Sequence, residues 1–184
     1  KTRMVYLPGT RVPEPSTPNT KNINHVIGVE LDIAGGEEGV LACCGGHTGG
    51  WTLFVKDGRL HWQHNWFREA RFKVVADTPL PRGHYIISAE ILVDKENVPG
   101  VGGKVVLRAG EQVLGEGRFE KQIPYRYSLE TFDVGFDSVT PVSDDYESPF
   151  PFTGKITRVV LDVSDATFDE LAAEARAKLG LAMQ

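Results

Sequence analysis

Cysteine is scarce in this chain, with two residues in 184, and the two are adjacent. A lone pair builds no disulfide framework, and no Cys-x-x-Cys spacing is present to hold a structural zinc. Long apolar runs are missing. None approaches the roughly 18 residues of a membrane-spanning helix, and the opening KTRMVYLPGT lacks the apolar segment of a signal peptide. Basic excess is missing too. The formal net charge is −5, which argues against nucleic acid or a membrane surface as a general partner. No methionine stands at position 1, so we expect a fragment or a processed product. Without a disulfide framework the cytoplasm is the default compartment, and a periplasmic or secreted parent stays open.

What is present reads as an ordinary globular chain, 41% hydrophobic and 24% charged, with the length of one domain and a sizeable core. Residues 1–22 carry Pro8, Pro13, Pro15 and Pro18 and predict an extended lead-in, a linker or a lace across the surface. Alternation of period two then takes over and defines a domain over 23–163. In HVIGVELDI, Ile27, Val29, Leu31 and Ile33 share one face, with Glu30 and Asp32 on the other. WTLFVKDGRLHWQHNW reads as a hairpin turning at Asp57-Gly58. HYIISAEILVD puts Tyr85, Ile87, Ala89, Ile91 and Val93 on one face, and KVVLRAGEQVLGEGRF turns back at Ala109-Gly110-Glu111. Residues 137–153 form a long loop rich in Pro and Asp before a last strand, GKITRVVLDV. Only 164–184 has helical spacing, with a Thr167/Glu170 capping box and Gly180 as C-terminal cap. Many strands without βα alternation predict an all-β, antiparallel two-sheet β-sandwich of the jelly-roll kind with a C-terminal helix.

The run LACCGGHTGGW raises the possibility of a metal or nucleophile site at Cys43, Cys44 and His47. Adjacent strand residues point to opposite faces, so the two cysteines cannot ligate one ion together. A small buried strand residue beside a glycine turn is the favoured reading. In LHWQHNWF the alternation puts Trp62, His64 and Trp66 on one face and His61, Gln63 and Asn65 on the other. The first set is a core face or a sugar-stacking platform. The acidic residues Asp133, Asp137, Asp144, Asp145 and Glu147 could offer oxygens to Ca²⁺, although no EF-hand spacing is present and a solvated loop is favoured. Glu30 and Asp32 meet the spacing of paired carboxylates, but they read as the wet face of a strand. The sequence VPGVGG lacks the Lys-Ser/Thr and helix of a phosphate loop. Tyr146, Phe150 and Phe152 make the long loop too apolar for a free one. Together with Tyr6 and Leu7 they are candidates for an interdomain contact, whereas Trp62 and Trp66 are candidates for a ligand.

Several longer phrases, in order, resemble the C-terminal region of large bacterial arylsulfatases: EEGVLACCGGHTGGWTLFVKDGRLHWQHNWF, TPLPRGHYIISAEILVD, GVGGKVVLRAGEQVLGEGRFEKQIPYRYSLETFDVGFDSVTPVSDDY and FPFTGKITRVVLDV. The opening YLPGTRVPEPSTPNTKN is similar to the family's passage into that region. The cysteine pair departs from it, since relatives carry a small or polar residue there. The resemblance implies a concanavalin A-like jelly roll, attached to a catalytic domain that hydrolyses sulfate esters with Ca²⁺ and formylglycine. Formylglycine forms in a Cys/Ser-x-Pro/Ala-x-Arg motif. Reading from Cys43 gives Cys-Cys-Gly-Gly-His and from Cys44 gives Cys-Gly-Gly-His-Thr, and neither fits. The expectation is therefore a non-catalytic accessory domain without a cofactor of its own, packing on the sulfatase catalytic domain. The alternative is a lectin-like, carbohydrate-binding module.

Overall fold

The computed structural model describes residues 3–164. Its strands are β1 (Arg3–Tyr6), β2 (Arg11–Pro13), β3 (His25–Ile33), β4 (Gly39–Gly46), β5 (Gly49–Lys56), β6 (Arg59–Trp66), β7 (Ala70–Val75), β8 (Gly83–Val93), β9 (Gly103–Ala109), β10 (Gln112–Phe119), β11 (Thr131–Val134) and β12 (Lys155–Asp162). They form two six-stranded sheets. The first has the order β1-β12-β3-β8-β9-β10, the second β2-β11-β4-β5-β6-β7, and the strand pairs are antiparallel.

Period-two alternation places the core. Ile27, Val29, Leu31 and Ile33 of β3 point between the sheets with Ile87, Ala89 and Ile91 of β8 and Val159 and Leu161 of β12. The second sheet meets them with Trp51, Leu53 and Val55 of β5, Leu60 and Trp62 of β6, and Phe132 and Val134 of β11. Each large side chain buried here contributes about 1.5–3 kcal/mol. Between β5 and β6, Asp57 and Gly58 both have positive φ, 53° and 73°. That is the mirror-image turn whose twist matches the strands it joins.

The proline-rich opening is extended, as its prolines dictate, but it is not a separate linker. β1 pairs with β12 at the edge of the first sheet, and β2 pairs with β11 at the edge of the second. Tyr6 is buried, with its ring 4.8 Å from that of Phe132. Prolines suit such edges because a missing N–H costs an edge strand little. The loop over 137–153 carries no strand or helix beyond one bridge of Pro151 to Val40. The helix expected over 164–184 lies outside the described residues, apart from Ser164.

Candidate functional site

Three places stand out: the outer face of the second sheet, a cleft at one end of the sandwich, and a groove beside the opening segment. On the outer face, strand register lines up one polar row. Asp133 of β11 lies opposite Cys43 of β4, Cys43 opposite Thr52 of β5, Thr52 opposite Gln63 of β6, and Gln63 opposite Lys73 of β7. The long loop folds down over this row. Asp137 Oδ2 accepts from Val142 N (2.9 Å) and from the Tyr146 hydroxyl (2.6 Å), which also lies 3.0 Å from Thr52 Oγ1. Gln63 Nε2 donates to Asp145 Oδ2 at 2.6 Å, and Lys73 Nζ reaches Asp144 Oδ1 at 2.9 Å and Asp145 Oδ1 at 3.0 Å. Beside the row, Val40, Cys43, Phe54, Val142 and Tyr146 form a second small core with Phe150 packed against it.

The glycine run anchors the same loop. His47 at the β4–β5 turn bonds Thr140 Oγ1 through its N–H (3.0 Å) and its Nδ1 (2.9 Å). Thr140 is held by the Glu130 carboxylate. A Cβ on Gly46 would collide with that carboxylate, so the run makes room for the tie. Asn65 Nδ2 completes it by donating to the carbonyls of His47 and Val142, both at 3.0 Å.

The cleft is a cavity of about 280 Å³ whose floor is Cys44, Trp51, Phe132 and Leu161, the end of the core between the sheets. Its walls are the segment 14–21 and the turn 125–127. Glu14 and Lys21 are almost fully buried there as an ion pair. A buried pair of this kind stands only if its remaining valences are met. Glu14 Oε2 accepts from Tyr127 N at 3.2 Å, and Lys21 Nζ lies 4.1 Å over the Tyr127 ring. Burial first, and then the neighbouring Cys44, raises the Tyr127 phenol, and burial likewise raises the Cys44 thiol. Both are neutral at ordinary pH. At the mouth stand Arg126 and Tyr125, the latter 74% exposed. The cleft thus offers a ring face, hydroxyl and amide groups, one cation at the rim and an ion pair within.

The groove, about 420 Å³, is lined by Pro8, Phe136, Pro149, Pro151, Phe152 and Ile156 among others. Leu7 beside it is 65% exposed.

The structure scatters the residues singled out from the sequence. Trp62 is 4% exposed, packed on Phe119 (5.5 Å) and His64 (6.3 Å) inside the main core. The platform reading of Trp62 and His64 is therefore corrected: both point between the sheets, where no sugar can stack. Trp66 is half-buried beneath Lys121, whose Nζ lies 3.6 Å over its ring. Tyr146 and Phe150 stack on each other at 5.1 Å, and Phe152 packs on the main core at the groove. Cys43 and Cys44 do face opposite ways, one to each core. His47 joins neither. Asp133 and Asp137 come together with Cys43, whereas Asp144 and Asp145 pair with Lys73, and Glu147 is exposed. Glu30 is held by Arg158 Nε (3.0 Å) and His84 Nε2 (3.1 Å), and Asp32 by His84 Nδ1 (2.5 Å). Sequence reasoning missed Glu14, Lys21, Tyr125 and Arg126. The aromatic–basic alternation PYRY was the available signal, but nothing local pairs it with a proline-rich segment about a hundred residues earlier.

No family model and no curated protein matches this chain. Solved structures do. The fold is similar to the CBM40 of Ruminococcus gnavus IT-sialidase bound to α2,3-sialyllactose, at 16% identity and a TM-score of 0.59, covering 95% of this chain and 96% of that one. It is similar also to the receptor binding domain of botulinum neurotoxin D (9%, TM-score 0.54, 96% of this chain and 48% of that one). A third likeness is the LG1-3 region of the laminin α2 chain (13%, TM-score 0.52, 89% and 31%). At these identities the likeness is one of fold. The chain is an all-β, two-sheet antiparallel sandwich of the jelly-roll, concanavalin A-like kind.

Proposed function

We propose that this chain is a non-catalytic carbohydrate-binding module whose ligand enters the cleft beneath Tyr125. The observation that carries the reading is the cleft itself: an exposed ring at the mouth of a cavity lined by Asn19, Thr17, Arg126 and the Glu14–Lys21 pair. A sugar needs that combination, an apolar ring face to stack on and hydrogen-bonding groups around its edge. The likeness to a CBM40 bound to sialyllactose supports it, although fold analogy alone transfers no site. Trp51 in the cavity floor supplies a reporter. Titration with neutral, sialylated and sulfated oligosaccharides is expected to give a saturable change in tryptophan fluorescence. Tyr125→Ala is expected to weaken binding about tenfold or more, with folding unchanged because the side chain is exposed. Flat titrations across all three sugar classes would overturn the proposal.

The apolar groove favours a second reading, an accessory domain packing on a sulfatase catalytic domain. Pro8, Pro151 and Phe152 with the exposed Leu7 offer the kind of surface a neighbouring domain covers, and the arylsulfatase-like phrases name that neighbour. In this reading the parent supplies Ca²⁺ and formylglycine and this chain supplies neither. Leu7→Asp would then break co-purification with the catalytic domain and leave sugar binding intact.

A further inference from the structure

The polar row under the long loop ends in a cluster that the carbohydrate reading does not use. Cys43 Sγ, an Asp133 oxygen and an Asp137 oxygen all lie within 4.8 Å of one another, and all three residues are buried. Register makes half of the cluster, since Asp133 and Cys43 are direct cross-strand partners. The loop makes the other half by bringing Asp137 down onto them. Both carboxylates are at most 1% exposed, and no ion pair among the described residues includes either. Two buried carboxylates this close, hydrogen-bonded but with no cation beside them, are costly when both are ionised.

The hydrogen bonds at the cluster fix the carboxylates and leave one buried oxygen without a partner. Asp133 Oδ1 accepts from Thr131 Oγ1 at 2.6 Å, and Oδ2 from Ser138 N and Oγ at 2.8 Å. Asp137 Oδ2 is taken by Val142 and Tyr146. Asp137 Oδ1 is buried and accepts no hydrogen bond among the described residues. The Cys43 thiol donates to the Phe136 carbonyl at 3.5 Å, so that oxygen is within reach as a further donor.

We propose that Cys43, Asp133 and Asp137 hold a divalent transition-metal ion of the zinc type, with the Phe136 carbonyl as fourth donor. The sulfur decides the class. Ca²⁺ and Mg²⁺ take oxygen ligands, whereas Zn²⁺ takes thiolate and carboxylate together. Zinc–ligand lengths of about 2.0–2.3 Å put tetrahedral donors roughly 3.4 Å apart, so from separations within 4.8 Å a closure of at most about 1.4 Å brings the three together. On binding, the thiol gives up its proton to solvent, its sulfur lone pair goes to the metal, and the S–H···O bond to Phe136 is replaced by the metal contacts. The ion supplies the missing positive charge, and Thr131, Ser138, Val142 and Tyr146 hold the carboxylates as outer-shell partners do.

The site holds the loop to the sheet, so metal also fastens the outer face. The test is Co²⁺ titration of the intact, chelator-stripped chain, followed in the near ultraviolet for a thiolate-to-cobalt charge-transfer band, with zinc competition. The expected result is one equivalent bound, a band absent in Cys43→Ser, and affinity weakened about tenfold or more in Asp137→Asn. Melting with and without zinc serves as a second readout, with zinc raising the midpoint of the wild type and not of Asp137→Asn. A folded wild type that develops no band, or a band that survives in Cys43→Ser, overturns the proposal. Sugar binding is read separately, on the other face of the same sheet, where Cys44 and Phe132 line the cleft.

Discussion

Gly50 has a φ of +143°, and a Cβ on it would sit 2.0 Å from the Cys44 carbonyl oxygen. Gly58 also has positive φ, +73°, but nothing lies within 4 Å of its would-be Cβ. Gly58 sits near the left-handed helical region that an L-residue can enter, whereas Gly50 lies far outside it and also meets the collision, so both terms weigh on Gly50. Gly50→Ala is expected to cost roughly 3 kcal/mol or more, because backbone on both strands has to move. Gly58→Ala is expected to cost only about 1–2 kcal/mol, the price of a left-handed L-residue. Urea denaturation midpoints of the two variants check the difference, and equal losses would show that the close approach of β4 and β5 carries no weight. The glycines around His47 therefore serve backbone approach and the Glu130 tie, not a phosphate or a nucleophile.

The elements that the sequence described least well are the edge strands and the loop. β1 is four residues long, yet it closes one edge of the first sheet and carries Tyr6 onto Phe132. Tyr6→Ala is expected to destabilise the fold by about 3 kcal/mol. Were the opening a free linker, the loss would stay below about 0.5 kcal/mol. Chemical denaturation decides between them. The loop behaves as a lid of fixed structure. Tyr146 and Phe150 pack on Phe54 at 5.0 and 6.3 Å, and Asn65 and Lys56 bond loop carbonyls. Its apolar residues were legible as too many for a free loop, but the face they cover was not.

Folding of the whole molecule is linked to pH through a histidine in the core. His64 lies between the sheets, and its Nε2 accepts from Ile123 N at 3.0 Å, which requires the neutral ring with its proton on Nδ1. Burial, and then Lys21, lowers its pKa to about 3. The unfolded chain binds the proton near 6.5 and the folded chain does not. The stability from this group is full above pH 6.5 and is lost as pH falls from there towards 3. The slope approaches about 1.4 kcal/mol per pH unit below the unfolded value. Other groups titrate in the same window, so the difference between wild type and His64→Gln isolates this one. Denaturation midpoints measured from pH 7.5 to 5 are expected to fall more steeply for the wild type, and parallel curves would show that His64 is protonated in the fold.

Alternation by itself determined that Ile27, Val29, Leu31 and Ile33 face one way, that Asp57-Gly58 turns a hairpin, and that Cys43 and Cys44 part to opposite sides. Each follows from neighbours one to three residues away, where strand geometry has a fixed period. It placed Trp62 and Trp66 on one face with His64 but could not say whether that face was core or surface. That depends on which sheet lies opposite, a matter of long-range pairing. Only the tertiary structure brought Asp133 beside Cys43, through the register of strands some ninety residues apart, and Asp137 onto both, through a loop with no period to read. The same holds for Glu14 and Lys21 beneath Tyr125 and Tyr127. Local preference fixes direction along a strand, whereas the partners across it are chosen by burial summed over the whole sandwich.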